Sequence, residues 1–200
     1  AAMVILPITL RNRIVGKDWV LISSSGGVNF YIGNVSGSDG RFVSLNLLPL
    51  APGRFDDDPT GGRFERSVQA FAEEREGKAL KPSEVSNFWM HLALDEIGKD
   101  PFAWFKLLLR KVYLFFNAFE IAQVDNLYFL ASYFPLLDSP LVYASRILWP
   151  LGLFGLVLLL FRTPRPRTLL VVFGAYALSV ILFFVTARHR LPVLPLAACF

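Results

Sequence analysis

The sequence predicts a membrane protein, mainly α, in which transmembrane helices carry a small extracytoplasmic α/β segment. Three observations predict it. Residues 168–187 (TLLVVFGAYALSVILFFVTA) form a run of twenty residues without a charge, about the length of helix that crosses roughly 30 Å of hydrocarbon. Residues 141–161 form a second long apolar stretch in which Arg146 is the only charge. Ahead of both lie residues with strand-like runs followed by amphipathic helical spacing.

Composition agrees with that division. The chain has 200 residues, of which 54% are hydrophobic, above the roughly 45–50% of ordinary soluble domains, and its mean hydropathy is +0.48. Residues 1–100 carry 11 basic and 13 acidic side chains and residues 101–200 carry 9 and 3, so the halves contribute −2 and +6 to the net charge of +4. A pI near 9.4 raises the question of nucleic acid. The positive charge sits beside lipid-length apolar runs instead, so no nucleic-acid partner is expected and membrane lipids are. The single cysteine, Cys199, excludes an internal disulfide and a cysteine-based metal site. The opening Ala1-Ala2-Met3 has no signal-peptide pattern, and the chain stops inside an apolar run at Phe200. The pattern reads as the later part of a longer membrane protein.

Residues 1–10 read as the end of an upstream membrane helix, with a buried strand as the alternative. Residues 11–100 read as the extracytoplasmic α/β segment. Within it, residues 19–23 (WVLIS) and 28–32 (VNFYI) are rich in β-formers and predict strands. Residues 33–40 (GNVSGSDG) predict a loop, residues 41–50 allow a further short strand, and residues 51–62 predict an irregular loop. Phe64, Val68 and Phe71 recur at helical spacing and predict an amphipathic helix over residues 63–76, stopped by Gly77. Val85, Phe88, Trp89, Leu92 and Ile97 form the stripe of a second helix, with Ser83 as its N-cap and Gly98 as its stop.

Asp100-Pro101, a cap followed by proline at the first helical position, starts a third helix. Residues 102–119 (FAWFKLLLRKVYLFFNAF) are apolar and aromatic, with Lys106, Arg110 and Lys111 in the middle. Three central cations argue against a plain span, so residues 101–139 read as an interfacial amphipathic helix and loop. The alternative is a span whose charges face a polar cavity. Residues 140–200 read as transmembrane helices over about 140–161 and 168–187, with another starting at 191. The turn between the first two holds Arg162, Arg165 and Arg167, which favours a cytoplasmic position. Two consecutive crossings then return the chain to the side it left. Residues 11–139 and the triplet Arg188-His189-Arg190 therefore share the extracytoplasmic face of the membrane. There the triplet opposes the usual charge bias, which favours a binding role over an anchoring one.

Gly26-Gly27-Val28-Asn29-Phe30-Tyr31-Ile32-Gly33-Asn34, then Asp100-Pro101, Lys111, Asn117 with Glu120, and Ala187-Arg188-His189-Arg190-Leu191-Pro192 occur in this order. The series resembles the later half of bacterial membrane glycosyltransferases of the dolichyl-phosphate-mannose mannosyltransferase-like type, the GT-C architecture. The resemblance covers nearly the whole chain. Its sharpest parts are the Gly-Gly-x-Asn-Phe-Tyr-Ile-Gly-Asn stretch and the Arg-x-Arg-Leu-Pro end. The chain departs from the family's pattern at Val35, where a second Asn is common, and at His189, where Tyr is. The resemblance implies a cell-envelope enzyme that takes a sugar from a polyprenyl-phosphate carrier and passes it to a lipid, glycan or protein acceptor. It also implies a catalytic aspartate in an earlier loop, so no catalytic base is assigned here. The chemistry needs no cofactor and no metal.

On that reading Arg188, Arg190 and Lys111 bind the carrier phosphate. A guanidinium grips phosphate oxygens bidentately and stabilises the charge that develops on the leaving phosphate. Snorkelling to lipid headgroups is the plain alternative for the arginines. Lys106 and Arg110 share a helix face and either line the same groove or meet headgroups. Lys111 with Glu120 is alternatively a structural ion pair. Asn29, Gly33, Asn34 and Glu120 are candidate sugar or acceptor contacts, since glycine permits close backbone approach and amides suit hydroxyls. A turn motif without a ligand is the alternative for the first three.

The remaining motifs carry less. Asn34-Val35-Ser36 matches the glycosylation sequon, a common chance match. Asp56-Asp57-Asp58 lies between prolines and reads as a solvated loop, and His91 has no second ligand at helical spacing. Two other function classes fit the same residues. One is a non-enzymatic membrane scaffold whose arginines hold headgroups. The other is a transporter module for lipid-linked sugars, which inverted repeats would favour; no internal repeat is present.

Overall fold

A computed structural model describes residues 2–42, 62–117, 119–121, 127–134, 136, 145–160 and 167–197. It is mainly helical, 76%, with no strand among the described residues. The helices are α1 (Ala2–Ile14), α2 (Gly26–Asn34), α3 (Gly62–Glu76), α4 (Pro82–Lys99), α5 (Pro101–Phe116), α6 (Leu127–Tyr133), α7 (Ser145–Leu160), α8 (Arg167–Leu182), α9 (Ala187–Arg190) and, after a single 3-10 turn over Leu191–Val193, α10 (Leu194–Ala197). The chain divides into two compact units. The first holds residues 1–38 and 43–104, the second residues 39–42 and 105–200.

The first unit is built on α2 against α4. Val28, Tyr31, Ile32 and Val35 are buried, a spacing of three, four and seven that belongs to one helix face. This corrects the strand expected over residues 28–32. The approach to α4 is close because Gly27 has no side chain: a Cβ there would lie 1.8 Å from the Ser86 carbonyl oxygen, and the Gly27 N–H donates to Ser86 Oγ at 3.0 Å. Trp89 of α4 is fully buried. Its ring meets Tyr31 at 5.0 Å, Phe71 at 5.4 Å and Phe88 at 5.7 Å, and its indole N–H donates to the Val68 carbonyl of α3 at 3.2 Å.

Residues 19–23 also form no strand. The carbonyls of Val20 and Leu21 accept hydrogen bonds from the Asn12 and Thr9 side chains of α1, at 3.0 and 2.8 Å, so side chains take the place of a neighbouring strand. The further strand allowed over residues 41–50 lies, from residue 43 on, outside the described residues, as do Asp56-Asp57-Asp58. The α/β segment is therefore built of helices joined by turns and irregular chain, with no strand among its described residues.

α3 ends where the sequence placed its stop, with Gly77 in the left-handed region at φ 67°. α4 differs at both ends. Lys81 is its N-cap residue and its N–H donates to Glu84 at 2.7 Å. Ser83 instead donates its N–H and hydroxyl to the Asp18 carboxylate at 2.8 and 2.5 Å. The helix passes Gly98 and ends at Lys99. Asp100 opens α5 as expected, accepting the Ala103 N–H at 2.9 Å. α5 closes at Phe116, where the Asn117 N–H turns back to the Leu114 carbonyl at 3.4 Å.

The second unit packs around Phe115, Ile121, Trp149, Phe173, Ala177, Val180, Val185 and Val193. It corrects the transmembrane class. No helix among the described residues is long and apolar enough to cross a membrane. α7 and α8 have 16 residues each, about 24 Å of helix against roughly 30 Å of hydrocarbon. α8 stops at Leu182 although the apolar run continues. The Phe183 N–H closes on Val180 at 3.2 Å, then Val185 and Ala187 donate to the carbonyls of Gly40 and Ile121, each at 2.9 Å. Non-helical partners thus take the backbone groups that a longer helix needs. Beyond residue 190 the chain forms a 3-10 turn and the four-residue α10. The integral-membrane placement, and with it the extracytoplasmic assignment of residues 11–139, rested on those crossings and falls with them. The arginine turn over residues 162–166 lies outside the described residues.

Candidate functional site

Of the residues expected to meet the carrier phosphate or the sugar, four belong to the second unit: Lys111 on α5, Glu120 after it, and Arg188 and Arg190 on α9. Their burial differs sharply. Arg188 is exposed. Arg190 is 2% exposed and Lys111 is wholly buried.

Arg190 is held from the end of α5. Its Nη1 donates to the carbonyls of Leu114, at 3.4 Å, and Asn117, and its Nη2 donates to the carbonyl of Phe119. Glu120 lies 3.5 Å from the same Nη2. The Leu114 carbonyl also accepts the Asn117 N–H, and Asn117 and Phe119 lie beyond the last residue of α5, so the guanidinium caps the helix end and ties α9 to it. Burial presses the Arg190 pKa downward, while the Glu120 carboxylate and Tyr128 oppose that. Only its Nε–H is buried without a partner among the described residues. Tyr128 completes the cluster by accepting the Glu120 N–H at 3.1 Å and stacking on Phe119 at 4.8 Å.

Between the two arginines, His189 points into its own unit. Its Nδ1 lies 3.0 Å from the Thr186 hydroxyl, and its carbonyl accepts the Tyr176 hydroxyl at 3.0 Å. Burial, then the nearby Arg188 charge, holds its pKa below 6.5. The ring is therefore neutral at neutral pH, and Arg188 carries the exposed charge of α9.

Lys111 is buried because Gly40 lies against it. Gly40 has φ 84°, and a Cβ there would stand 2.8 Å from Lys111 Cγ. The same glycine accepts the Val185 N–H, so the loop over residues 39–42 covers the lysine and terminates α8 together. Burial lowers the Lys111 pKa from 10.5 to about 7. At neutral pH its amine is thus divided between the charged and neutral forms. Lys106 and Arg110 lie on the exposed face of α5, and Arg110 donates to the Asp39 carbonyl at 2.9 Å.

Asn29, Gly33 and Asn34 lie on α2, in the first unit. Asn29 is half-buried and the other two are buried. The Asn34 amide donates to Phe30 at 2.8 Å and accepts the Trp104 indole N–H at 2.8 Å, which ties α2 to the first turn of α5. The Gly33 carbonyl accepts the Ser38 hydroxyl at 3.2 Å.

Sequence reasoning missed Gly40, Ile121 and Val185, the residues whose backbone shapes this end of the second unit. Gly40 sat in a loop read only by composition, and no local pattern tied it to Lys111. No group of three or more His, Cys, Asp or Glu side chains able to hold a metal occurs among the described residues. No family model, curated protein or solved structure matches the chain.

Proposed function

We propose that the chain is part of a glycosyltransferase that moves a sugar from a polyprenyl-phosphate carrier to a lipid, glycan or protein acceptor, and that its second unit receives the carrier phosphate. One observation carries the reading. The buried guanidinium of Arg190 locks α9 onto the end of α5, which fixes the exposed Arg188 in the unit that also holds the buried amine of Lys111.

The roles divide accordingly. Arg188 meets the phosphate and stabilises the charge it gains as the sugar departs. Lys111, poised by burial near neutrality, takes up a proton as the carrier's phosphodiester monoanion becomes the departing monophosphate dianion, since a nearby opposite charge favours the ammonium form. Arg190 is a positioning residue, its guanidinium already committed to carbonyls and Glu120. Exposed apolar side chains of the same unit, among them Phe105 and Leu109 on α5 and Leu151 and Phe154 on α7, offer the prenyl chain a surface to bury.

The reading is tested by binding of a short-chain polyprenyl monophosphate to the protein in detergent micelles. Arg188→Ala should weaken binding about tenfold, the loss of one charge-assisted contact, and the corresponding prenyl alcohol should bind weakly to both proteins. Equal affinity of wild type and variant for the phosphate overturns it.

A further inference from the structure

α2, α3 and α4 of the first unit enclose a cleft of about 220 Å³. The cleft plays no part in the phosphate chemistry proposed above. Val28, Phe64, Val68 and Val85 line it together with three serines, and so do Glu65 and Gln69. The three valines are buried, and Glu65 and Gln69 are exposed. An apolar cavity of roughly 150 Å³ is large enough to hold benzene, so this one takes a phenyl ring with a short tail.

Charge selects the class of ligand. Glu65 is the only charged residue among the described residues lining the cleft, and it has no ion pair or hydrogen bond among them. A carboxylate at the mouth of an apolar pocket attracts a cation and repels an anion. A few polar groups at the edge of an apolar pocket are what fix orientation in small-molecule sites. We infer that this cleft binds a small primary amine with an aromatic or compact aliphatic body, the body on the valines and the ammonium on Glu65.

The inference stands apart from the glycosyl-transfer reading, because it uses none of the same residues. Phenethylamine serves as the probe, titrated by NMR into the full chain, with phenylacetate as the anionic counterpart of the same size. Saturable binding of the amine is expected, with phenylacetate bound at least about tenfold more weakly. Glu65→Gln should weaken the amine by a similar factor. Gln69→Trp, placed at an exposed position so that folding is preserved, should fill the cleft and abolish binding. No saturable binding, equal binding of the two probes, or amine binding that survives Gln69→Trp overturns it.

Discussion

Arg190 and Glu120 form an ion pair at 3.5 Å that is almost sealed from solvent, with the two side chains 2% and 11% exposed. The pair stands where α5 ends and α9 begins its contact with that end. Breaking such a pair leaves an uncompensated charge in a low-dielectric site, at a cost of about 3–5 kcal/mol. Arg190→Ala should therefore lower the free energy of unfolding by that amount, read as a lower urea midpoint at unchanged slope. Arg190→Lys should recover little, because one ammonium does not reproduce a planar fork that reaches carbonyls on both sides. A lysine variant as stable as wild type would remove the clamp role.

Adjacent glycines on α2 should behave oppositely. Gly27→Ala drives a methyl onto the Ser86 carbonyl, only 1.8 Å from the new Cβ, where backbone on both sides must give. The overpacking should cost about 1–3 kcal/mol or more. Gly26→Ala has nothing within 4 Å and should be neutral or stabilising by up to about 1 kcal/mol through helix propensity. Thermal unfolding of the two variants checks the ordering, and similar losses at both positions would contradict the packing of α2 on α4.

Lys111 should make stability rise with pH. Its folded pKa, about 7, lies below the ordinary 10.5, so the unfolded chain binds more protons between those values and stability increases across that interval. The penalty of burying the ammonium is complete below about pH 7. Lys111→Met should therefore be more stable than wild type at and below neutrality, and the gap should close as pH approaches 10.5. Chemical denaturation over this range gives the result, and a gap that does not change with pH would contradict it.

Asp18 acts at the acidic end. Burial raises its pKa, but hydrogen bonds from the Ser83 hydroxyl and N–H, then the Trp19 N–H and the Lys81 charge, outweigh this and leave it below 3.8. The stability it contributes is present above pH 3.8 and is lost as pH falls through the folded value. Asp18→Asn should cost about 1–3 kcal/mol at neutral pH and flatten the acid limb of the stability curve. An unchanged acid limb would show that the Asp18–Ser83 contact does not anchor the start of α4.

The parts of the fold that were legible in the sequence are those decided locally. Val68, Gly77, Val85, Trp89 and the Asp100-Pro101 step carry helical spacing, stops and starts within a few residues of one another, and α3, α4 and α5 follow them. α2 was misread because Val28, Phe30, Tyr31 and Ile32 are β-formers. The same run also places Val28, Tyr31, Ile32 and Val35 on one helical face, and the partner that decides between the two is Ser86, far along the chain. The end of α8 was illegible for a similar reason. An apolar run gives no warning that Gly40 and Ile121 will take the N–H groups of Val185 and Ala187.

At the candidate site the sequence marked Arg188, Arg190 and Lys111 as one phosphate-binding group and set Glu120 with the candidate sugar or acceptor contacts. Only the fold separates their environments, leaving Arg188 at the surface and burying Arg190 and Lys111.

The central claim is that α9 presents Arg188 to a carrier phosphate during sugar transfer. The most direct measurement is the initial rate of transfer from a polyprenyl-phosphate sugar by the intact protein, wild type against Arg188→Ala, at matched folded concentration. The account predicts a fall of about a hundredfold, as for removal of one group that stabilises developing charge, with the urea midpoint unchanged because Arg188 is exposed. An unaltered rate in a folded Arg188→Ala protein would contradict it.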